Sequence, residues 1–249
     1  MRFFIELSYS GANYHGWQAQ PNATSVQSEI SKALSTILNT KIVVTGAGRT
    51  DTGVHAKQMF AHFDYFKDID FTKKILKLNG VLPKDIAIHN MYNVGDDANC
   101  RFDAESRTYK YHIIQQKSPF NLTAYFLHKK LDIDAMKIAC KHLLGKQDFT
   151  SFSKVKTQTY TNNCNVMLAN WEQKENELIF TIKADRFLRN MVRAIVGTLL
   201  AVGEDKISPE KVKEIIAKKD RCSAGFSVPA HALFLSKIEY PKHIFNGEK

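Results

Sequence analysis

Ile42-Val-Val-Thr-Gly-Ala-Gly-Arg-Thr-Asp-Thr-Gly-Val-His-Ala-Lys-Gln-Met-Phe-Ala-His-Phe-Asp64 holds two β-rich runs, 42–45 and 54–64, parted by a small, polar, glycine-rich stretch. Such a stretch makes a poor core and a good turn, so the pattern is strand, loop, strand. Upstream, Val26, Ile30, Ala33, Leu34, Ile37 and Leu38 recur at helical spacing behind a capping-box pattern, Thr24 with Gln27. Before that helix, Phe3, Ile5, Leu7 and Tyr9 alternate along residues 2–9, and Gly11 ends the run. Downstream come a short helical pattern from Phe71 to Leu78 and a strand from Ile86 to Val94. The order is β-α-β-β-α-β.

The same order returns in the second half. Tyr109, Tyr111 and Ile113 alternate from near Ser106, and a helix is expected from Ile133 to Leu144 behind the cap Asp132. Strands are expected over Thr159–Trp171 and Leu178–Ala184, and a helix over Phe187–Val202. Ser208-Pro209-Glu210 opens one more helix, and Leu233 to Tyr240 closes as a strand. The fold class expected is α+β: two tandem ferredoxin-like modules, mostly antiparallel, with helices on one face of the sheet. The module boundaries are 1–104, with the glycine loop, and 105–249.

The chain has 249 residues, 44% of them hydrophobic and 24% charged, which excludes a disordered or fibrous chain. Its 35 Lys and Arg against 25 Asp and Glu give a net charge of +10, which points to a polyanionic partner, nucleic acid first. Cys100, Cys140, Cys164 and Cys222 stand singly, with no zinc spacing, and read as reduced and structural. Glu6 interrupts what would be a signal peptide's apolar run, and no apolar stretch reaches the roughly 18 residues of a membrane span. A cytoplasmic protein without membrane contact is expected.

Within the run from Gly46 to Ala56, the three glycines permit tight turns and close approach of a ligand, and Arg49 and Asp51 bring opposite charges. A dinucleotide loop fails, because Asp51 occupies the sixth position from Gly46 and no long helix follows; a P-loop fails for want of a Lys-Ser/Thr pair. Asp51 and His55 stand four apart on loop and strand, where that spacing does not converge, and His15, His55 and His62 are expected to be structural, with no metal and no cofactor.

Gly48-Arg-Thr-Asp-Thr-Gly-Val-His-Ala56 resembles the catalytic motif of the TruA-type tRNA pseudouridine synthases. Tyr9-Ser-Gly with Tyr14-His-Gly-Trp-Gln-Ala-Gln20, Phe102-Asp-Ala, Arg107-Thr-Tyr-Lys-Tyr111, Phe187-Leu-Arg-Asn-Met-Val-Arg193 and Pro229-Ala-His-Ala-Leu233 are similar to its further motifs, in the family's order. Two positions depart from the pattern: Thr52 replaces the usual Ala, and Ala232 replaces the usual Gly, where a positive φ would strain alanine.

The resemblance implies isomerisation of uridine to pseudouridine in tRNA at positions 38, 39 and 40 of the anticodon stem-loop, without cofactor or metal, by a homodimer in which one tRNA touches both subunits. It implies Asp51 as the catalytic nucleophile, Arg193 as the cation that keeps a covered carboxylate ionised, and Tyr109 against the target base. Leu233 is the apolar wall on the base's other side, and Arg49 contacts RNA where the flipped nucleotide has left the stack. Addition of Asp51 to the sugar carbon, addition to the uracil ring, and assisted elimination to a glycal are three routes compatible with these residues. Arg186, Arg189 and Arg193 are expected on one helical face. Lys73-Lys74, Lys129-Lys130, Lys154 to Lys156, and Lys218-Lys219 with Arg221 are candidate phosphate contacts. A non-catalytic RNA-binding protein built from two such modules is the alternative; it leaves Arg49-Thr-Asp51 unexplained. A metal-dependent hydrolase at the histidines is a weaker third.

Overall fold

Strand β1, Arg2–Tyr9, follows from the alternation of its apolar residues, and it is the centre of the first unit of the computed structural model, which describes residues 1–154 and 160–245. That unit comprises Met1–Glu105 together with the described residues from Leu235 to Phe245. Helix α1, Val26–Leu38, buries Val26, Ile30, Ala33, Leu34 and Leu38. Its cap is one residue later than the sequence pattern places it: Ser25 Oγ accepts from Ser28 N, and the Ser28 side chain accepts from Ser25 N. Gln27 is instead turned inward, where it donates to the Val44 carbonyl at 2.7 Å and accepts from Ala19 N at 2.8 Å.

The first hairpin strand shrinks to β2, Thr45–Gly46, which pairs with β3, His55–Asp64, in the register Thr45↔His62 and Gly46↔Ala61. Residues 42–44 lie outside the strand; the Ile42 and Val44 amides bond instead to Ser35 and Ser31 hydroxyls of α1. Helix α2, Phe71–Val81, is capped by Asp70, and β4, Ile86–Val94, completes the unit's β-α-β-β-α-β. β1 lies antiparallel between β3 and β4, so the order β4-β1-β3-β2 is the ferredoxin-like one. Phe3 stacks on Phe63 at 5.6 Å and meets Phe71 edge-on at 6.1 Å.

The domain division expected from the sequence differs at its end. Residues 235–245 pack with the first unit: Tyr240 and Phe245 lie against Phe4 and Phe60, and the Tyr240 hydroxyl donates to the Cys100 carbonyl. The closing strand β10, Leu233–Glu239, is therefore divided, with Leu233 and Phe234 in the second unit.

The second unit, Ser106–Phe234, opens with β5, Ser106–Ile114, on which the two-residue β6, Tyr125–Phe126, lies parallel. Helix α3, Ile133–Lys141, is capped by Asp132, whose side chain accepts from Ala135 N. β7, Gly145–Asp148, pairs with β8, Asn163–Lys174, and β8 pairs with β9, Glu177–Ala184, which in turn pairs antiparallel with β5. Thr159, expected to start β8, lies outside the described residues. Tyr111, Trp171, Phe180, Phe149 and Phe152 are each under 2% exposed and form the core with helix α4, Met191–Gly203. Helix α5, Lys211–Lys218, follows the Ser208-Pro209 turn.

Candidate active site

The loop 47–54 is pinned along its length. Ala47 N donates to the Phe60 carbonyl at 2.8 Å, Val54 N to the Asp51 carbonyl at 3.1 Å, and the Tyr9 and Thr50 hydroxyls share a bond of 2.8 Å. The segment 10–18 grips it from outside: Trp17 N donates to the Thr50 carbonyl at 3.3 Å, and Gly53 N to the Tyr14 carbonyl at 3.4 Å. Arg49 Nε donates to Gln18 Oε1 at 3.2 Å. Asp51 is half-buried on this loop, Arg49 is exposed beside it, and Thr52, the departure from the family pattern, is exposed.

The glycines serve different ends. A Cβ on Gly46 would stand 2.4 Å from the buried Trp17 indole, and Gly53 holds φ +78°. Gly48 has neither constraint, since a Cβ there meets nothing within 4 Å.

Three residues to which the sequence assigns no chemistry hold segment 10–18 in place. Gly11 N donates to His55 Nδ1 at 3.1 Å, so that nitrogen is an acceptor. The Tyr14 hydroxyl donates to Asp85, and burial together with Asp85 pushes that phenol well above its ordinary range. Asp85 also accepts from Asn13 Nδ2 at 3.0 Å, and its carbonyl from Ser10 N at 2.9 Å. Tyr14 and His55 lie in the stretches that resemble the family's motifs, whereas Asp85 carries no local signal, because its partners lie 71 and 72 positions away.

In the second unit, Arg193 is on the first turn of α4. Arg186 and Arg189 are not on that helix, contrary to the shared helical face expected. Asn190 at φ +68° turns the chain immediately before Met191, and its side chain donates to Ser227 Oγ at 2.6 Å. Arg193 Nε donates to the Val228 carbonyl at 2.7 Å, and Val228 N to the Arg193 carbonyl at 3.3 Å, which fixes the plane of the guanidinium. The Tyr111 hydroxyl, its pKa pushed up by burial, donates to the Pro229 carbonyl at 3.0 Å.

Segment 227–229 is thus held from below, and it leads into the turn Ala230–Ala232 and then Leu233, 5% exposed. Ala232 is fully buried and is not among the residues with positive φ, so alanine is unstrained there. Tyr109, on β5, is half-buried and meets Phe187 edge-on at 5.1 Å; Tyr111, two residues on, is in the core. The two tyrosines thus have different surroundings.

Several expected phosphate contacts are already engaged. Lys73 pairs with Asp70, Lys129 with Glu204 at 2.7 Å, and Lys219 with Asp148 at 3.1 Å, while Arg221 holds the Ala224 and Gly225 carbonyls and Ser227. Lys154 is exposed; Lys156 lies outside the described residues. His62 accepts from Cys100 N at 3.3 Å, and burial holds its imidazole pKa down. Among the described residues, no three His, Cys, Asp or Glu side chains group as a metal ion needs, and no helix is long and apolar enough to cross a membrane.

A sequence profile of a family described as tRNA pseudouridine synthase matches residues 7–103 and 139–241. Both matched stretches hold site candidates, Arg49 and Asp51 in one, Arg193 and Leu233 in the other; Tyr109 lies between them. Proteins named tRNA pseudouridine synthase A are similar over the whole chain. That of Parabacteroides distasonis is 51% identical, over 99% of each chain, and that of Bacteroides fragilis 52%, over 98% of each. That of Clostridium acetobutylicum is 42% identical, over 95% of this chain and 98% of its own. Among solved structures, a chain from a Cbf5-Nop10-Gar1 complex gives a TM-score of 0.34 at 9% identity, covering 80% of this chain and 54% of that one; a likeness that low carries no argument.

Proposed function

This chain belongs to the tRNA pseudouridine synthase family and isomerises uridine to pseudouridine in tRNA; on that premise we propose uridines 38, 39 and 40 of the anticodon stem-loop as its substrates and Asp51 as its nucleophile. In the reaction the N1–C1′ bond breaks, the uracil turns, C5 bonds to C1′, and the C5 proton leaves as N1 gains one. Nothing is oxidised or hydrolysed, so a carboxylate, a cation and a closed pocket suffice.

Asp51 supplies the carboxylate. What supports the assignment is its place on a loop whose backbone is tied at Ala47, Thr50, Gly53 and Val54, because a nucleophile works through fixed geometry. Arg193 is the cation that keeps such a carboxylate ionised when the base covers it, and its Nε bond to Val228 fixes the orientation such a role needs. Tyr109 lies against the base, with Leu233 as the opposing wall, and Arg49 enters the space the flipped nucleotide vacates. The enzyme works as a homodimer in the cytoplasm, by analogy with the family.

The observation that carries this reading is the match at about half identity across the full chain, with the Asp51 motif in it. The test is Asp51→Asn and Asp51→Ala with pseudouridine mapped by carbodiimide on unmodified tRNA transcripts, with no additive. Binding kept and modification abolished is the result expected. Modification at the wild-type rate removes Asp51 from the mechanism, and product outside 38, 39 and 40 removes the site assignment.

A further inference from the structure

Among the described residues of the first unit, the most exposed large apolar side chain is Phe102, at 75%. Its loop is not loose. Asn99 Oδ1 accepts from Arg101 N at 3.0 Å and from Phe102 N at 3.3 Å, Asp103 Oδ2 accepts from Asn99 N at 2.7 Å, and Asp103 N returns to the Asn99 carbonyl at 3.0 Å. Beneath it Cys100 is fully buried, its thiol donating to the Thr45 carbonyl at 3.1 Å and its amide to His62. Thr45 and His62 face each other on β2 and β3, the two strands that carry the Asp51 loop. The loops 99–103 and 47–54 therefore share one root. Over one ring face of Phe102 lies the Arg101 guanidinium, 5.3 Å from the centroid.

An aromatic ring exposed on a hydrogen-bonded loop forgoes burial that a floppier loop would recover. Cys100 of that loop points inward and the other residues are Asn99, Arg101 and Asp103, so Phe102 is the one large apolar side chain exposed on the loop 99–103. A protein partner needs a contiguous apolar patch, whereas a nucleobase needs one flat face and a nearby cation. On a chain of net charge +10, the second description fits.

We infer that Phe102, backed by Arg101, is a stacking platform for an unpaired base of the bound tRNA. The inference rests on the tRNA-modifying function above and adds to it a contact outside the residues assigned to the reaction. Every base has a π face, so the platform holds the strand without reading its sequence.

The test compares equilibrium binding of two probes, an unmodified tRNA transcript and a fully paired RNA duplex, by the wild type, Phe102→Ala and Phe102→Trp. The side chain is exposed, so both variants are expected to melt as the wild type does. Phe102→Ala should bind tRNA roughly five- to hundredfold more weakly, the loss of one stacked base, with the duplex unaffected and Phe102→Trp restored. Tight tRNA binding by Phe102→Ala, within twofold of wild type, overturns the inference. So does an equal loss on both probes, or a change in sedimentation that accompanies the loss, which would make the ring a protein contact. Binding needs no turnover, so a wild type that forms no pseudouridine would refute the enzymatic reading and still leave this comparison to be read.

Discussion

At Gly46, Gly48 and Gly53 one residue type answers three different demands, and substitution separates them. Gly46→Ala places a methyl group 2.4 Å from an indole that is 1% exposed, so the loop or Trp17 must move. Overpacking of that kind costs about 1–3 kcal/mol, to be seen as a lower denaturation midpoint. Gly48→Ala meets nothing within 4 Å and should melt within about 0.5 kcal/mol of wild type. With Asp51, three residues on, as the proposed nucleophile, that open backbone is room for RNA to approach, so kcat/KM should nevertheless drop by about tenfold or more, as misplacement near reacting atoms does. Gly48→Ala with full activity would show that RNA keeps clear of that backbone. The sequence shows three glycines and a turn; only the position of Trp17 beside Gly46, the open space at Gly48 and the left-handed backbone at Gly53 assign a reason to each.

Elements whose signal is local were legible. β1 and β4 have the bounds their alternation marks, and α3 starts behind Asp132 as its cap residue indicates. Elements decided by distant partners were not. The helix expected from Phe187 begins at Met191, because Asn190 adopts a left-handed turn and bonds to Ser227, 37 residues on. The strand expected from Ile42 is reduced to Thr45–Gly46, because serines of α1 take its amides. β6 and β7, of two and four residues, are too short to show a period. The same distinction holds around the candidate site: the motif singles out Asp51 and Arg49 as the residues to test, while Asp85 emerges only from its contact with Tyr14. Asp85→Ala takes the acceptor from a buried phenol, which costs about 1–3 kcal/mol of stability. It also loosens the segment whose Tyr14 carbonyl receives Gly53 N, so kcat should fall more than KM rises. Asp85→Asn keeps an oxygen for Tyr14 and should restore most of both; kinetics of the two variants beside their melting curves check this. A lowered midpoint with wild-type kcat would leave Asp85 a purely structural residue.

For the whole molecule, titration and charge set the response to solvent. Burial holds the His62 pKa below the ordinary 6.5, so from about pH 6.5 downward the unfolded chain takes a proton that the folded one refuses. Stability should therefore begin to fall there, and His62→Asn, which keeps an acceptor for Cys100 N, should flatten that limb in urea titrations. A second, steeper loss belongs to the carboxylates. The bond from Arg2 holds Asp64 below its ordinary 3.8, and the bonds from Lys129 and Lys206 hold Glu204 below 4.5. Their stabilisation is present above those values and is lost as pH falls through the lowered folded pKa. Those ion pairs also bear on RNA binding, because a lysine already matched by a carboxylate releases few counterions. The net charge of +10 predicts steep salt dependence: neutralising six phosphates would cost about a thousandfold in affinity between 50 and 200 mM salt. Lys129→Ala and Lys219→Ala, whose charges face Glu204 and Asp148, should leave the slope of log affinity against log salt nearly unchanged. Lys154 is exposed and makes no ion pair among the described residues; Lys154→Ala should lower that slope by about 0.7–0.9 if it meets one phosphate. Filter binding across a salt series resolves the difference. Equal slopes for all four proteins would move the phosphate contacts away from Lys154 altogether, while a drop for Lys129→Ala would mean that the RNA displaces Glu204 from its partner.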